Sequence, residues 1–241
     1  MIRWVDAFLD RPAASADAAV AFWAEVTGSE PRPQRMPGFV RLHTAAGDDW
    51  LEIQAIDEGS GGMHPDLWVD DVAGFESRAR AAGASVVIDH GTWQTLRSPA
   101  GLPFCVAAWR DQRVRPTPYT GPGGVVTRPH QICFDLAPSH FEPEVAFWHT
   151  LTGWDLPGSD STEFRRLQPA PPIPIRFLLQ RLGEERAASA HLDVSCSDIP
   201  AARAWHERLG ATFAGEWPHW TTMRDPAGGV YCLTDGDPAT D

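Results

Sequence analysis

Two short stretches of this 241-residue chain carry the residue types best suited to chemistry on a small molecule. One reads Trp93-Gln94-Thr95-Leu96-Arg97, the other Trp220-Thr221-Thr222-Met223-Arg224. Side chains alternate between the faces of an extended strand, so Trp93, Thr95 and Arg97 share one face, and Trp220, Thr222 and Arg224 share the corresponding one. An indole wall, a hydroxyl and a guanidinium on one surface suit a planar, anionic or polar ligand through stacking and bidentate hydrogen bonding. His64 and His191, on other strand-like segments, would add a neutral donor or acceptor. The same residues have a second reading that serves the fold alone, with Trp packing under a helix and Arg tying a turn through the Asp225 carboxylate.

Other chemistries find little support. The strings G-x-S-x-G, G-x-G-x-x-G and G-K-[ST] do not occur, so nucleophile-elbow hydrolases, dinucleotide enzymes and P-loop proteins are not indicated. All 20 basic residues are arginines, which removes Schiff-base and Walker-type lysines together. The four cysteines, Cys105, Cys133, Cys196 and Cys232, form no C-x-x-C pair and read as buried small hydrophobes. Acidic pairs such as Asp48-Asp49, Asp70-Asp71 and Glu184-Glu185 read as solvated, and His90, His140, His149, His206 and His219 as surface or capping residues. A net charge of −12 argues against a nucleic-acid partner, which needs a concentrated positive field. No apolar run approaches the ~20 residues that span a bilayer. The opening Met1-Ile2-Arg3-Trp4-Val5-Asp6 is neither a basic leader nor an apolar stretch, so a cytoplasmic protein is expected.

The elements that must position these residues come in duplicate. Residues 91–105 (GTWQTLRSPAGLPFC) align with residues 218–232 (PHWTTMRDPAGGVYC), and Cys105 falls on Cys232. Further upstream His64 falls on His191, Asp66 on Asp193, and Val20-Ala21-Phe22-Trp23 on Val145-Ala146-Phe147-Trp148. Such self-similarity marks a tandem duplication. The Pro- and Gly-rich connector divides the chain into domain 1 (1–112), a linker (113–128) and domain 2 (129–241).

Within each copy the signals run strand, helix, strands, twice over. Ser15 is placed to cap a helix whose face carries Ala19, Phe22, Trp23 and Val26 and which Gly28 ends. Ser139 and Glu142 form a S-x-x-E capping box before Val145, Trp148 and Leu151. Asp71 and Asp198 open short helices closed by Gly83 and Gly210. Strands are expected around 39–44, 50–56, 163–168 and 175–182, and the Pro-Ala-Gly tripeptides read as hairpin turns. The fold class is α+β: two domains, each of two βαβββ modules whose helices cover one sheet face and leave the other free to curl.

The segment His191-Leu-Asp-Val-Ser-Cys-Ser-Asp-Ile, with Ala201-Ala-Arg, Leu209-Gly210-Ala211 and Asp225-Pro-Ala-Gly, resembles the second module of the glyoxalase/bleomycin-resistance/dioxygenase superfamily, the vicinal oxygen chelate fold. His130-Gln-Ile-Cys-Phe-Asp, with Ala146-Phe147-Trp148 and Leu151-Thr152-Gly153, is similar to its first module. The resemblance covers nearly the whole chain in both copies. It implies tandem glyoxalase-like domains, each curved into a cup around a small molecule.

Metal-dependent members of that superfamily draw ligands from the first strand of each module and a glutamate from the last. By resemblance, copy two offers His130, His191 and, in place of the glutamate, Cys232, with Gln180 as a further oxygen ligand. Copy one has Val5 in place of His130, His64 alone, and Cys105 for the carboxylate. Two histidines and a thiol suit zinc; the resemblance extends the choice of divalent ion to Zn, Fe, Mn or Ni. The preferred expectation is a cup that binds an aromatic or polar organic ligand without an essential metal, as drug-sequestering members do. The alternative is a metal-dependent lyase, isomerase or extradiol-type dioxygenase using His130 and His191. A third reading leaves one copy only to complete the fold. The binding residues expected are Trp220, Thr222, Arg224, His191, His130, Gln180, Trp93, Arg97 and His64. The chain is expected as a monomer with internally paired domains or as a homodimer.

Overall fold

The computed structural model describes residues 1–159 and 161–241. Copy one opens with β1 (Ile2–Pro12), α1 (Ala16–Thr27), β2 (Glu30–Pro33), β3 (Phe39–His43) and β4 (Leu51–Ile56). It repeats the order with β5 (Gly62–Val69), α2 (Val72–Ala81), β6 (Ser85–Asp89), β7 (Trp93–Arg97) and β8 (Pro103–Ala108). The connector holds β9 (Tyr119–Thr120) and a 3-10 turn (Pro122–Gly124). Copy two follows with β10 (Val126–Leu136), α3 (Phe141–Thr152), β11 (Phe164–Leu167) and β12 (Arg176–Arg181). It ends with β13 (Ser189–Cys196), α4 (Ile199–Arg208), β14 (Thr212–Glu216), β15 (Trp220–Arg224) and β16 (Val230–Thr234). The βαβββ order holds throughout, except that the counterpart of β2 in copy two shrinks to a single bridge between Asp155 and Gln168.

The fold is α+β, with two curved eight-stranded sheets. In copy one the strand order is β2-β3-β4-β1-β5-β8-β7-β6. In copy two it is β11-β12-β10-β13-β16-β15-β14, with β9 added beside β10. β5 pairs with β8, and β13 with β16, in parallel; the hairpins β7–β8 and β15–β16 are antiparallel. The linker is therefore partly ordered, since Tyr119 and Thr120 pair with Thr127 and Val126. A two-residue strand is too short to leave a period in the sequence.

Local signals fix the helix ends, not always as the sequence suggests. Asp71 and Asp198 accept from the backbone N–H of Gly74 and Ala201, satisfying donors that a helix start leaves open. Gly28 and Gly153 end α1 and α3 in the left-handed conformation, φ 62° and 64°. Ser15, by contrast, makes no capping bond, because its hydroxyl donates to the Pro12 carbonyl instead. The capping box is also absent: His140 is the N-cap of α3, and Ser139 Oγ is drawn 2.6 Å from Glu185 Oε2.

The chain divides into two compact units that do not follow the repeat. The first comprises residues 1–7, 64–113 and 132–190; the second, residues 8–63, 114–131 and 191–241. Each unit thus takes one βαβββ half from each copy. The first is cored by Phe104, Phe134, Phe147, Trp148 and Phe177, whose rings lie 5.0–6.1 Å apart in contacting pairs. In it Glu144, fully buried, accepts from Trp148 Nε1 and from the Ala100 N–H, and burial pushes its carboxyl above the ordinary range.

The second unit is cored by Phe22, Trp23, His206 and Tyr231. His206 is not a surface residue: it is fully buried, with Nδ1 2.9 Å from the Tyr231 hydroxyl. Its place on α4 beside Ala202 and Trp205 belongs to the apolar face of that helix, and burial lowers its pKa to about 4. Trp23 donates to Asp225, whose carboxylate is also held by Arg11. A side chain at Gly229 would displace the Arg11 guanidinium from its place beside Asp225.

Candidate functional site

Strand alternation sorts the residues of copy two. On β13, Leu192, Val194 and Cys196 lie on one face, and His191, Asp193 and Ser195 on the other. Cys232 on β16 stands opposite Asp193 on one side and Thr222 of β15 on the other, so all three share the polar face. His191 Nε2 lies 3.2 Å from Asp193 Oδ1 and 3.5 Å from Cys232 Sγ. Thr222 Oγ1 lies 3.6 Å from the same sulfur, and Gln131 Nε2 donates to Asp193 Oδ2 at 2.6 Å. His191 is 8% exposed and Cys232 4%, whereas Trp220 and Thr222 are half-buried. The set is a polar floor with a wall beside it, and the Trp220 ring stacks on exposed Trp217 at 5.7 Å.

Copy one repeats the arrangement. His64 Nε2 lies 3.5 Å from Asp66 Oδ1, and Asp66 stands opposite Cys105. Thr95 Oγ1 is 3.6 Å from Cys105 Sγ, and Trp93 stacks on His90 at 3.5 Å. Asp6, on β1, accepts from Trp68 Nε1 at 2.8 Å. Burial, then the nearby Asp66 charge, raises the Cys105 thiol above its usual pKa. All four cysteines are buried and unbridged.

Several residues singled out in the sequence lie elsewhere. His130 has the opposite phase to Gln131 on β10; it is 2% exposed, with Nδ1 3.2 Å from Asp241 Oδ2. Gln131, not His130, is the β10 residue that reaches Asp193. Val5, its counterpart in copy one, is likewise fully buried and next to inward Asp6. Gln180, on β12, is bonded to Glu163 Oε1 at 2.8 Å but stays beside the site, 3.8 Å from the Cys133 Sγ that lies within 4.8 Å of the His191 and Asp193 donor atoms. Arg97 and Arg224 are exposed and donate to the carbonyls of Gly101 and Gly228, so they tie their turns through a main-chain oxygen. Asp225 is instead engaged by Arg11 and Trp23.

Asp66, Asp193 and Gln131 escaped sequence reasoning as site residues. The repeated H-x-D at 64–66 and 191–193 was the available signal, since a spacing of two puts both side chains on one strand face. For Gln131 the phase of β10 had to be known.

Chemically, Asp193 and Cys232 both approach the same imidazole nitrogen. A cysteine nucleophile needs the thiol on one ring nitrogen and the orienting carboxylate on the other, so this is not a thiol relay. Convergence of nitrogen, oxygen and sulfur donors does fit a metal. Zinc bonds such atoms at about 2.0–2.3 Å, which sets tetrahedral neighbours roughly 3.3–3.6 Å apart. The spacings of 3.2 and 3.5 Å around His191 Nε2 match, and the three donors whose atoms all lie within 4.8 Å of one another are His191, Asp193 and Cys133 of β10.

A sequence profile of the glyoxalase-like domain matches residues 6–107 and again 131–234. No curated protein matches the chain. Among solved structures, the chain is similar to the Mn(II)-bound glyoxalase from Novosphingobium aromaticivorans, at 19% identity and TM-score 0.63, covering 97% of this chain and 81% of that one. It is also similar to 2,2',3-trihydroxybiphenyl 1,2-dioxygenase from Sphingomonas wittichii strain RW1, at 14% identity and TM-score 0.66, covering 98% and 91%. The 2,3-dioxygenase LapB from Pseudomonas sp. KL28 aligns at 16% identity and TM-score 0.64, covering 98% and 92%. At these identities the likeness is one of fold.

Proposed function

Because this chain belongs in both halves to the glyoxalase-like domain family, we propose that it binds a small aromatic or polar organic molecule on the helix-free face of a curved sheet, foremost in copy two. The observation that carries this reading is the polar floor of Gln131, His191, Asp193 and Cys232 beside half-buried Trp220 and Thr222. Burying polar groups costs stability unless they are paired, and a purely structural sheet face would be better served by apolar side chains. Trp220 supplies the stacking surface, Thr222 a hydroxyl, and His191 a ring nitrogen at the bottom of the cup. We take the domains as 1–112 and 129–241 joined by 113–128, and the functional state as a monomer. Phe22 and Trp23 of copy one already pack on His206 and Tyr231 of copy two within the chain, which supports that choice over a homodimer. No helix among the described residues is long and apolar enough to cross a membrane. The test is calorimetric and tryptophan-fluorescence titration with a panel of aromatic natural products. Saturable binding lost in His191→Ala is expected; no saturable response across the panel overturns the reading.

A second reading is favoured by the convergence of donors on His191 Nε2. In it His191, Asp193 and Cys133, whose ligand atoms lie within 4.8 Å of one another, hold a divalent ion beside Cys232, with Gln131 in the place expected for His130, and the protein is a lyase, isomerase or extradiol-type dioxygenase. When bound, such an ion polarises a substrate oxygen. The floor residues orient it, while Trp220 and Thr222 position the organic part of the substrate. Metal analysis separates the two readings: a stoichiometric ion lost in His191→Ala supports the second.

A further inference from the structure

The hairpins β6–β7 and β14–β15 end in the same local structure. Each carries a bulge in its edge strand, between Val86 and Ile88 in β6 and between Phe213 and Gly215 in β14. Each then turns through four residues closed by a backbone bond. The His90 N–H donates to the Trp93 carbonyl at 3.0 Å, and the Trp217 N–H to the Trp220 carbonyl at 2.9 Å. In both turns the rings at the two ends are stacked, His90 on Trp93 and Trp217 on Trp220. A bulge bends its strand and re-aims the side chains beside it, so a bulge and a stacked turn repeated together form one device.

We infer that Trp217 sets the length of the molecule that copy two accepts. With Trp220 it forms an outer aromatic contact that selects planar ligands of two or more rings, polar at one end, over single-ring ones. This rests on the reading of copy two as a ligand cup and narrows that reading to a substrate class.

Distance makes the selection. At the floor, Thr222 Oγ1 is 3.6 Å from Cys232 Sγ, and Trp220 lies two residues away on the same face of β15. Two residues of strand cover about 7 Å. Trp217 stands across the turn from Trp220, on the side of β15 away from β16, with the ring centroids 5.7 Å apart. A phenol whose hydroxyl sits on the floor is too short to reach that outer ring. A biphenyl skeleton carries its second ring onto it.

The outer ring is held in place before any ligand arrives. Trp217 is 55% exposed, yet its turn is tied down on the other side. His219 Nδ1 lies 2.8 Å from Asp235 Oδ2, and the Asp235 N–H donates to the His219 carbonyl, which fixes the turn to the chain just after β16. A surface ordered in advance loses less freedom when a ligand stacks on it. Copy one has Thr92 and Ala108 at the positions of His219 and Asp235. Its outer ring is the smaller imidazole of His90, 3.5 Å from Trp93 and with Nε2 3.4 Å from Thr95 Oγ1. That ring closes over the hydroxyl instead of extending the wall, so the longer ligand belongs to copy two.

Calorimetric titration of the full chain with phenol and 4-phenylphenol tests the selection. Expected is tighter binding of 4-phenylphenol, at one equivalent per chain. Trp217→Ala should weaken 4-phenylphenol by roughly 2–12-fold, the worth of one aromatic contact, and change phenol less than about twofold. Trp217→Phe should recover most of the loss, and circular dichroism of both variants reports that the fold is retained. Equal losses for the two phenols would show that Trp217 only backs Trp220, and an unchanged 4-phenylphenol affinity that it touches no ligand. Either result overturns the proposal and leaves the cup reading standing. So does binding of the natural-product panel without binding of either phenol, whereas no saturable binding of any compound overturns both.

Discussion

Arg11 and Asp225, 214 positions apart in the chain, form an ion pair with Nε 2.7 Å from Oδ2, both side chains at or below 1% exposure. The guanidinium also donates to the carbonyls of Asp10 and Gly62, and Trp23 donates to the same carboxylate oxygen. The repeat breaks here. At the corresponding positions copy two has Leu136 for Arg11, and copy one has Ser98 for Asp225 and Leu102 for Gly229. The copy-two counterpart of Trp23, Trp148, finds a carboxylate on its own helix, Glu144. The matched α1 and α3 tryptophans thus each donate to a buried carboxylate, and Arg11 supplies the cation for the Asp225 one.

Removing that cation should be costly. Arg11→Met leaves the Asp225 charge buried without its partner, and the expected loss is about 3–5 kcal/mol of unfolding free energy. Urea denaturation of the variant beside the parent protein measures it; a loss below about 1 kcal/mol would mean that Asp225 finds water or another donor.

His206 makes stability fall in mild acid. Its folded pKa is lowered from 6.5 to about 4, so the unfolded chain binds the proton more readily. The contribution is therefore fully present above pH 6.5 and is lost as pH falls toward 4, with a full span of about 3 kcal/mol. Thermal melts between pH 7 and pH 4 should lose this slope in His206→Phe, and an unchanged slope would place the titration elsewhere.

Glu144 acts in the opposite sense. Burial raises its folded pKa above 4.5, so its contribution is complete below 4.5 and is lost as pH rises through the folded value. Glu144→Gln should flatten that part of the profile while sacrificing one of the two bonds to Trp148 and Ala100. Denaturation midpoints across pH 4–8 read both effects.

In copy two, Trp220→Ala should weaken an aromatic ligand by roughly 2–12-fold, the value of about 0.5–1.5 kcal/mol for a lost stacking contact. Arg224→Ala should leave binding nearly unchanged, because the guanidinium is committed to the Gly228 carbonyl. Equal losses in the two variants, by calorimetry, would show that the ligand reaches the turn.

Much of this architecture was legible before any coordinates. The repeat located both copies of each half, and the burial of Ala19, Phe22, Trp23 and Val26 follows from their helical spacing. Register on the hairpin strands was equally readable, since Trp220, Thr222 and Arg224 do share a face. What sequence could not supply was the phase of the long strand β10, where a slip of one residue exchanges His130 for Gln131. Nor could it show that Ser139 would prefer Glu185, 46 positions away, to its own helix. Asp66 and Asp193 went unrecognised for another reason. An acidic residue in a strand reads as solvent-facing until the opposing strand is known to bring a thiol to it, beside the imidazole two residues earlier on its own strand.

Because each compact unit draws its parts from both copies, a nick within the connector would leave no complete core on either fragment. Two separately expressed pieces, severed near Pro122, would each display an unmated aromatic helix and should reassemble in trans. The molecule is thus built like a ready-made split reporter, and the ancestral single-copy gene product would have met the same need by partnering with its twin.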